Sequence, residues 1–249
     1  MHLHTKVLVL RETAYKESDK ILTLLTQEQG KLTASARGCR RKGSPLAAGS
    51  QLLVWSDFIL YEYQGRWSVK EAEVEREFRG MREDLDKFSL GCYFGEVTQA
   101  LALEGLPSPE MLSLILNSLH ALDRLDRPLA LVKGAFELRA MCLAGYEPVL
   151  DACAVCGCQP EEPRFHLREG VLHCARCRGE VGDGVSMPLD QGALAAMRHV
   201  AYGDPKRLFF FQLEEKSLSA FADVAEAYLL TQLERGFSTL DFYKSLRLS

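Results

Sequence analysis

Residues 17–44 read ESDKILTLLTQEQGKLTASARGCRRKGS and combine two strand patterns, a glycine turn and a cluster of cations. Gly30 lies between the two strand patterns, where it can adopt the positive φ of a tight turn. The second strand leads into a run of cations around Gly38, namely Arg37, Arg40, Arg41 and Lys42. A Ser-Pro pair at 44–45 ends this run, so the cations lie in a loop. Only one acid, Glu28, offsets them between Asp19 and Ser44.

The composition is that of a soluble globular protein, with 47% hydrophobic and 26% charged residues in a chain of 249. This length suits one large domain or two small ones. The charge is uneven, because residues 1–70 carry eleven Lys and Arg against six Asp and Glu, a net +5, while the remainder carries −9. A basic N-terminal module on an acidic body indicates that the first part contacts a polyanion.

Further strand patterns surround the opening stretch. Short apolar or alternating runs bounded by turn residues occupy residues 6–10, 20–26, 32–36, 51–63 and 66–70. Five short strands predict a small closed barrel, and we expect an OB-type domain over residues 1–80, with an SH3-like barrel as the competing interpretation.

The barrel's cations are the candidate contacts to nucleic-acid phosphates. Besides the four loop residues, the predicted set includes Lys16, Lys31 and Arg66. Strand aromatics could stack bases, but alternation separates Phe58 and Leu60 from Tyr61 and Tyr63, and core packing is the favoured interpretation.

The rest of the chain is mostly helical. Apolar residues recur with a 3.6-residue period over residues 84–104, 111–122, 130–144, 190–202, 217–235 and 239–246. We therefore expect a helical bundle over residues 81–150 and 186–249, which makes the fold class α+β. Lys133 and Arg139 project from the third helix. They are interpreted as solvated helix surface or as receivers of an acidic partner segment.

Five cysteines cluster between the two helical segments. Cys153 and Cys156 form one CxxC, and Cys174 and Cys177 form another, with seventeen residues between them. This spacing predicts a zinc ribbon over residues 151–185, inserted in the helical bundle, in which four cysteines bind one structural Zn²⁺. Cys158 is a spare thiol or replaces Cys156 in a shifted set.

No catalytic constellation is found. Four thiolates close the metal's coordination shell, and HExxH, GxxxxGK[ST] and GxSxG are absent. We therefore expect no enzymatic activity and no nucleotide cofactor. No secretory segment follows Met1, and no apolar run approaches the ~18 residues needed to span a bilayer. The expected location is the reducing cytoplasm.

The parts, in this order, resemble the RecO family of bacterial recombination mediators. The matching motifs are ESDKILTLLTQEQGK at 17–31, ARGCRR at 36–41, ELR at 137–139, LAGYEP at 143–148, and the ribbon residues Phe165, Glu169, Gly170 and CARC at 174–177. Cys39 departs from the small apolar residue that the family often has. Cysteine ligands are not universal in the family, so the zinc prediction depends on this chain's own spacing.

The resemblance implies an OB-fold that binds single- and double-stranded DNA, anneals complementary strands and hydrolyses no nucleotide. It also implies a complex with RecR, contact with the C-terminal tail of single-strand-binding protein, and loading of RecA onto coated DNA. Lys133 and Arg139 are the candidate receivers of that tail. The alternative function is an RNA-binding module associated with translation or the ribosome, because OB barrels and zinc ribbons both occur there.

Overall fold

The computed structural model describes residues 1–247 and divides the chain into two compact units. Unit 1 contains residues 1–124 and the segment that begins at Phe237, and unit 2 contains Leu125–Gly236. Among the described helices, none has both the length and the apolar character that a membrane crossing requires.

Five strands form the N-terminal part of unit 1. They are β1 (His2–Tyr15), β2 (Asp19–Thr26), β3 (Gly30–Ala36), β4 (Trp55–Tyr63) and β5 (Arg66–Arg76). They close into a barrel in the order β1-β2-β3-β5-β4, since β1 pairs with both β2 and β4. β3 and β5 run parallel, whereas the other pairs are antiparallel. This five-stranded closed order is the OB-type barrel expected from the sequence, and it resolves the choice against an SH3-like barrel.

An irregularity in β1 shapes the barrel core. Val9 pairs with Leu24, but Arg11 pairs with the next residue of β2, Thr23, so one extra residue bulges out of β1. The extra residue is Leu10, which is buried. The bulge accounts for Leu10 in the apolar run of β1, whereas Leu8 pairs regularly with Leu25 and Trp55 and is also buried. The inward positions of all five strands form one core that contains Val7, Val9, Leu22, Leu24, Leu32, Ala34, Phe58, Leu60 and Val69.

Helices complete unit 1. They are the single turn α1 (Arg79–Arg82), α2 (Leu85–Leu101), α3 (Pro109–Arg124) and α7 (Ser238–Leu246). α2 approaches the barrel closely through Gly91 and Gly95, where an added Cβ would meet Leu53 side-chain atoms at 3.2 and 3.3 Å. α7 is attached to α2 by an edge-on contact between the Phe237 and Tyr93 rings, whose centroids lie 5.7 Å apart.

Unit 2 contains three longer helices and a small sheet. The helices are α4 (Leu129–Leu143), α5 (Gln191–Tyr202) and α6 (Glu215–Leu233). The strands β6 (Arg164–His166) and β7 (Val171–His173) form a hairpin within the cysteine insertion. β8 (Ser186–Pro188) pairs with β6 on its other side and was not anticipated, because three residues carry too weak a pattern.

The two compact units group the helices differently from the sequence-based division, which placed boundaries at residues 80, 150 and 185. α2, α3 and α7 belong with the barrel, whereas α4, α5, α6 and the ribbon form the other unit. Sequence periodicity identifies helices but does not say which of them pack together. The three-part division of the chain stays a prediction.

The turn at Gly30 offers a test of the packing in unit 1. Gly30 has φ +59°, and an added Cβ would lie 1.9 Å from the Leu106 carbonyl oxygen. Gly30→Ala is expected to lower the free energy of unfolding by at least about 3 kcal/mol, because it combines backbone strain with a collision against rigid backbone.

Gly65→Ala is the matched control, since Gly65 has φ +74° but nothing within 4 Å of an added Cβ. Backbone strain alone should cost about 1–2 kcal/mol. Urea unfolding followed by tryptophan fluorescence measures both, because both tryptophans, Trp55 and Trp67, lie in the barrel. Equal losses would show that the approach of Leu106 does not constrain the turn.

Candidate functional site

Two hydrogen bonds attach the basic loop to the turn between β1 and β2. The Gly38 N–H donates to the Asp19 carboxylate at 2.7 Å, and the Arg40 N–H donates to the Ser18 carbonyl at 3.0 Å. The Gly38 N–H holds the pKa of Asp19 below its ordinary value against partial desolvation, and Lys16 and Arg37 act in the same direction. The fold thus brings Lys16 beside the basic loop, although more than twenty residues separate them in the chain.

The four loop cations are exposed to solvent. The set is Arg37, Arg40, Arg41 and Lys42. Within residues 1–247 no carboxylate forms an ion pair with any of them, whereas nearby cations are neutralised, as in Lys20–Glu12 at 2.6 Å and Lys6–Glu75 at 2.5 Å. An exposed cluster of unpaired cations leaves all its N–H donors available to an anion.

A row of four polar side chains crosses the outer face of β1, β2, β3 and β5. Arg11 pairs with Thr23, and Thr23 pairs with Thr33. The parallel register Ala34 to Trp67 places Arg66 beside Thr33. The row therefore has a cation at each end and two hydroxyls between them, across a span of about 14 Å. Arg11, Thr33 and Arg66 are exposed, and Thr23 is half-buried.

Arg11 was missed by sequence reasoning. It follows the apolar run of β1, and only the bulge turns its side chain outward onto the face with Thr23. Tyr15 was also missed. It lies at the end of β1 with 49% of its surface exposed, and the Lys16 ammonium lies 5.3 Å from the centre of its ring. Alternation from Val7 and Val9 would place Arg11 inward, so no local pattern identifies it. Once Arg11 faces outward, the period of two places Tyr15 on the same face.

The strand aromatics divide as alternation predicted. Phe58 is fully buried and Trp67 packs against the barrel core. Tyr61 faces outward, with the Lys70 ammonium 5.1 Å from its ring centre, and Tyr63 is 62% exposed beside the β4–β5 turn. Core packing accounts for Phe58 and Trp67 but not for the two tyrosines.

Lys31 has a structural contact in unit 1. Its ammonium donates to the Gln99 carbonyl at 2.9 Å, in the last turn of α2, where helix carbonyls lack intrahelical partners. This contact already uses the charge that the sequence assigned to DNA.

The interpretation of Lys133 as an exposed cation is wrong. The residue is only 5% exposed, and its ammonium lies 2.8 Å from Glu137 and 2.7 Å from Glu226. Burial opposes the charge, but the two carboxylates outweigh it and raise the pKa of Lys133. Lys133 is therefore the centre of a buried ion-pair cluster between α4 and α6 and cannot receive a partner's segment.

Arg139, the other predicted receiver, is half-buried and has hydrogen-bond partners within unit 2. Its guanidinium donates to the carbonyl of Ala201 at 2.8 Å and to that of Val200 at 3.4 Å. Both carbonyls belong to the last turn of α5, whose partial negative charge a cation stabilises. Helix periodicity placed both residues on α4 but could not show which neighbouring helix covers them.

The cysteines of the insertion meet in one cluster in unit 2. The sulfurs of Cys153, Cys156, Cys158 and Cys174 lie within 4.8 Å of one another, so these four cysteines could hold a metal ion. Cys177, a member of the expected set, is buried and packs in the same cluster, but its sulfur is not one of these four. The group thus contains three of the four predicted ligands, with Cys158 in the place of Cys177, and the choice of the fourth ligand stays a prediction.

Two local turns hold the cluster. Burial opposes ionisation of Cys153, but N–H groups of Cys156, Cys174 and Val155 point at its sulfur and lower its pKa to about 6. In the second turn, the N–H groups of Cys177 and Arg176 likewise lower the pKa of Cys174 against desolvation. In each CxxC, backbone N–H groups therefore stabilise the first cysteine as a thiolate, which is the form that binds metal.

The spacing of the sulfurs fits a tetrahedral ion. Zn–S bonds of about 2.3 Å place neighbouring sulfurs about 3.8 Å apart. The Cys156 and Cys174 sulfurs lie 3.8 Å apart, whereas those of Cys156 and Cys158 are closer, at 3.4 Å. Thiolates are soft ligands, so the donor set suits zinc and excludes magnesium and calcium.

Two family models together match nearly the whole chain. The model described as recombination protein O N terminal matches residues 1–78, which contain the barrel. The model described as recombination protein O C terminal matches residues 82–241, which contain the helices and the cysteine cluster.

Full-length relatives agree with these matches. A DNA repair protein RecO of Acetivibrio thermocellus is 32% identical over 248 residues, covering 98% of this chain and 97% of that protein. Those of Symbiobacterium thermophilum and Bacillus pumilus are 32% and 29% identical, over 96% and 92% of this chain and 96% and 88% of their own lengths.

The contact between Asp19 and Gly38 predicts how the basic loop is held. Asp19→Ala should raise the hydrogen-exchange rate of the Gly38 amide roughly three- to tenfold at neutral pH, because an exposed charge-assisted hydrogen bond is lost. Glu17→Ala is the control, since it removes an equal charge from the same turn without touching Gly38.

The sign of the pH dependence follows from the lowered pKa. The contact contributes fully above the ordinary aspartate pKa of 3.8 and is lost as pH falls through the lower folded value. Gly38 protection that is equal in both variants would show that Asp19 does not anchor the loop.

Proposed function

The chain belongs to the RecO family of DNA repair proteins, and we propose that it binds single- and double-stranded DNA through its barrel and anneals complementary strands. With RecR, it would help to load RecA onto DNA coated by single-strand-binding protein. The observation that carries this proposal is the exposed, unpaired cation cluster at one end of the barrel.

The DNA surface extends from the basic loop across the barrel. Arg37, Arg40, Arg41 and Lys42 supply charge at the loop, and Lys16 supplies it at the adjoining turn. The row from Arg11 to Arg66 continues the surface with guanidinium and hydroxyl donors. Such groups bind phosphate oxygens, which every sequence offers, so the proposed binding is sequence-tolerant and falls with salt. Lys31 contributes less than the sequence suggested, because its ammonium already binds Gln99.

The scarcity of aromatics on this surface supports annealing. Binding platforms that hold single strands by stacking use several aromatic rings, each covering a base. Here the row between Arg11 and Arg66 contains only cations and hydroxyls, and Tyr15 lies at its border. A strand held mainly by its phosphates keeps its bases accessible to a complementary strand.

The metal of the cluster is proposed to be one structural Zn²⁺. Its ligands would be Cys153, Cys156, Cys174 and Cys177, because each CxxC turn presents a stabilised thiolate and its partner. Four thiolates leave no open position for water, so the metal would hold the ribbon together without catalysis. The protein is accordingly proposed to act as a mediator and not as an enzyme.

The proposal includes partner proteins, but it assigns no surface of this chain to any of them. RecR and the C-terminal tail of single-strand-binding protein are proposed as direct partners, and RecA as an indirect one. Lys133 and Arg139 are not retained for the tail, since both are engaged within unit 2. The proposed location is the bacterial cytoplasm, at the nucleoid.

Removing the loop charges should weaken DNA binding. The variant Arg40→Ala/Arg41→Ala/Lys42→Ala is expected to lose about tenfold or more in affinity for single-stranded DNA near 0.1 M salt. The slope of log affinity against log salt should fall by about two, since each phosphate contact contributes about 0.7. Fluorescence anisotropy over a salt series measures both quantities.

A matched control removes the same charge elsewhere. Lys206→Ala/Arg207→Ala/Lys216→Ala deletes three exposed cations of unit 2 and should leave the slope unchanged. If the two variants behave alike, the loop is not the DNA site. Competition by structured RNA in the same assay distinguishes the alternative RNA-binding function, for which RNA would displace DNA at a lower concentration than DNA itself does.

Annealing tests the proposed function as a whole. Complementary strands coated with single-strand-binding protein should pair faster when this chain is added, and the loop variant should lose most of that acceleration. Pairing rates that the wild-type chain does not change would contradict the mediator function even if DNA binding is confirmed.

The choice of the fourth metal ligand is testable by paired variants. Cys177→Ser should reduce bound zinc well below one ion per chain or lower zinc affinity at least about a hundredfold, because a thiolate ligand is lost. Cys158→Ser should retain one zinc. Metal analysis of both purified proteins measures this, and the opposite pattern would place Cys158 in the coordination shell.

A further inference from the structure

The cysteine cluster contains one thiol more than a tetrahedral metal needs. The sulfurs of Cys153, Cys156, Cys158 and Cys174 lie within 4.8 Å of one another, and Cys177 is buried in the same cluster. With the proposed ligands Cys153, Cys156, Cys174 and Cys177, the extra thiol is Cys158. Its sulfur lies 3.4 Å from that of Cys156, which is closer than the 3.8 Å between the ligand sulfurs of Cys156 and Cys174. The extra thiol is therefore in contact with one ligand sulfur in particular.

Accessibility distinguishes the same pair from the rest of the cluster. Cys156 is exposed and Cys158 is half-buried, whereas Cys153, Cys174 and Cys177 are 2%, 7% and 6% exposed. A small oxidant from solvent therefore reaches the Cys156 sulfur before the three buried ones. The scattered thiols of Cys92 and Cys142 lie outside this cluster.

The backbone between the two cysteines permits them to be joined. Only Gly157 separates them, and its φ of +71° makes a turn. Two residues apart, the Cα atoms can be at most about 7 Å from each other, and a turn shortens that distance into the range of about 4.4–6.8 Å that disulfides span.

We propose that Cys156 and Cys158 form an oxidation site at which a hydroperoxide produces an intrachain disulfide across Gly157. The Cys156 thiolate attacks the peroxide O–O bond, forms a sulfenic acid and releases hydroxide or alkoxide as the leaving group. The Cys158 thiol then attacks the sulfenic sulfur, forms the S–S bond, and the S–OH oxygen leaves as water. Two thiols are oxidised by two electrons, and one peroxide is reduced.

The consequence for the metal follows from the proposed ligand set, on which it depends. A disulfide removes Cys156 from coordination and leaves three thiolates, so the metal binds more weakly. It also alters the turn in which the Cys153 N–H donates to the Cys158 carbonyl at 2.9 Å. Reduction by a dithiol restores both thiols and the metal site.

The test uses the full-length protein, purified with zinc under reducing conditions and then freed of reductant. One equivalent of hydrogen peroxide should release zinc, followed with a chromogenic chelator. Mass spectrometry after alkylation should place a new disulfide between Cys156 and Cys158 by fragmentation of the tryptic peptide that contains both. A reducing agent plus zinc should reverse the two changes.

Matched variants separate this site from general oxidation. Cys158→Ser should keep its zinc but release it at least about tenfold more slowly with peroxide, because the sulfenic acid of Cys156 has no thiol partner. Cys142→Ser, which removes a half-buried thiol of the same tryptic peptide, should behave like the wild type. Equal release from Cys158→Ser and wild type, or a disulfide that maps to another pair, would overturn the proposal.

The same experiment separates failure of the oxidation site from failure of the metal assignment. A chelator-treated sample is oxidised in parallel. If the purified chain contains no zinc but the disulfide forms between Cys156 and Cys158, the metal assignment fails and the oxidation site stands. If zinc is bound and neither the holo nor the stripped protein forms that disulfide, the oxidation site fails.

Discussion

Closure of the barrel depends on β1, which hydrogen-bonds with β4 along its first half and with β2 along its second half. Val7 and Leu8 pair with both neighbours, and the bulge after Val9 bends the strand just beyond them. The same bulge turns Arg11 onto the outer face and places Tyr15 at the end that meets the basic loop. One extra residue in a strand thus changes which side chains of β1 lie on the candidate DNA surface.

Cations occupy two contrasting environments in this protein, one exposed and unpaired and the other buried and ion-paired. At the end of the barrel, backbone hydrogen bonds to Asp19 and Ser18 hold the loop while its cationic side chains stay unpaired in solvent. In unit 2, Lys133 is neutralised by two carboxylates, because an isolated buried ammonium would be costly. Charge is therefore available for recognition only where the fold leaves it exposed and without an acid beside it.

The cysteine cluster combines short-range and long-range organisation. Each CxxC turn directs its own backbone N–H groups at the sulfur of its first cysteine. Each half of the cluster is therefore organised by residues that are adjacent in the chain. The β6–β7 hairpin brings the two halves together, since Cys174 immediately follows β7 and its N–H donates to the Cys153 sulfur at 3.4 Å. Cys158 joins the cluster only because the Gly157 turn returns the chain toward it, and this gives the site a fifth thiol.

The sequence by itself determined the strand and helix segments, the α+β class, the family resemblance and the two CxxC turns, because these depend on periodicity and spacing within short stretches. Tertiary structure alone decided the closed strand order, the outward position of Arg11, and the burial of Lys133 beside Glu226. It also decided which helices pack with the barrel. The physical reason is that exposure and pairing depend on residues distant in the chain: α6 buries Lys133, and no local pattern in α4 records that contact.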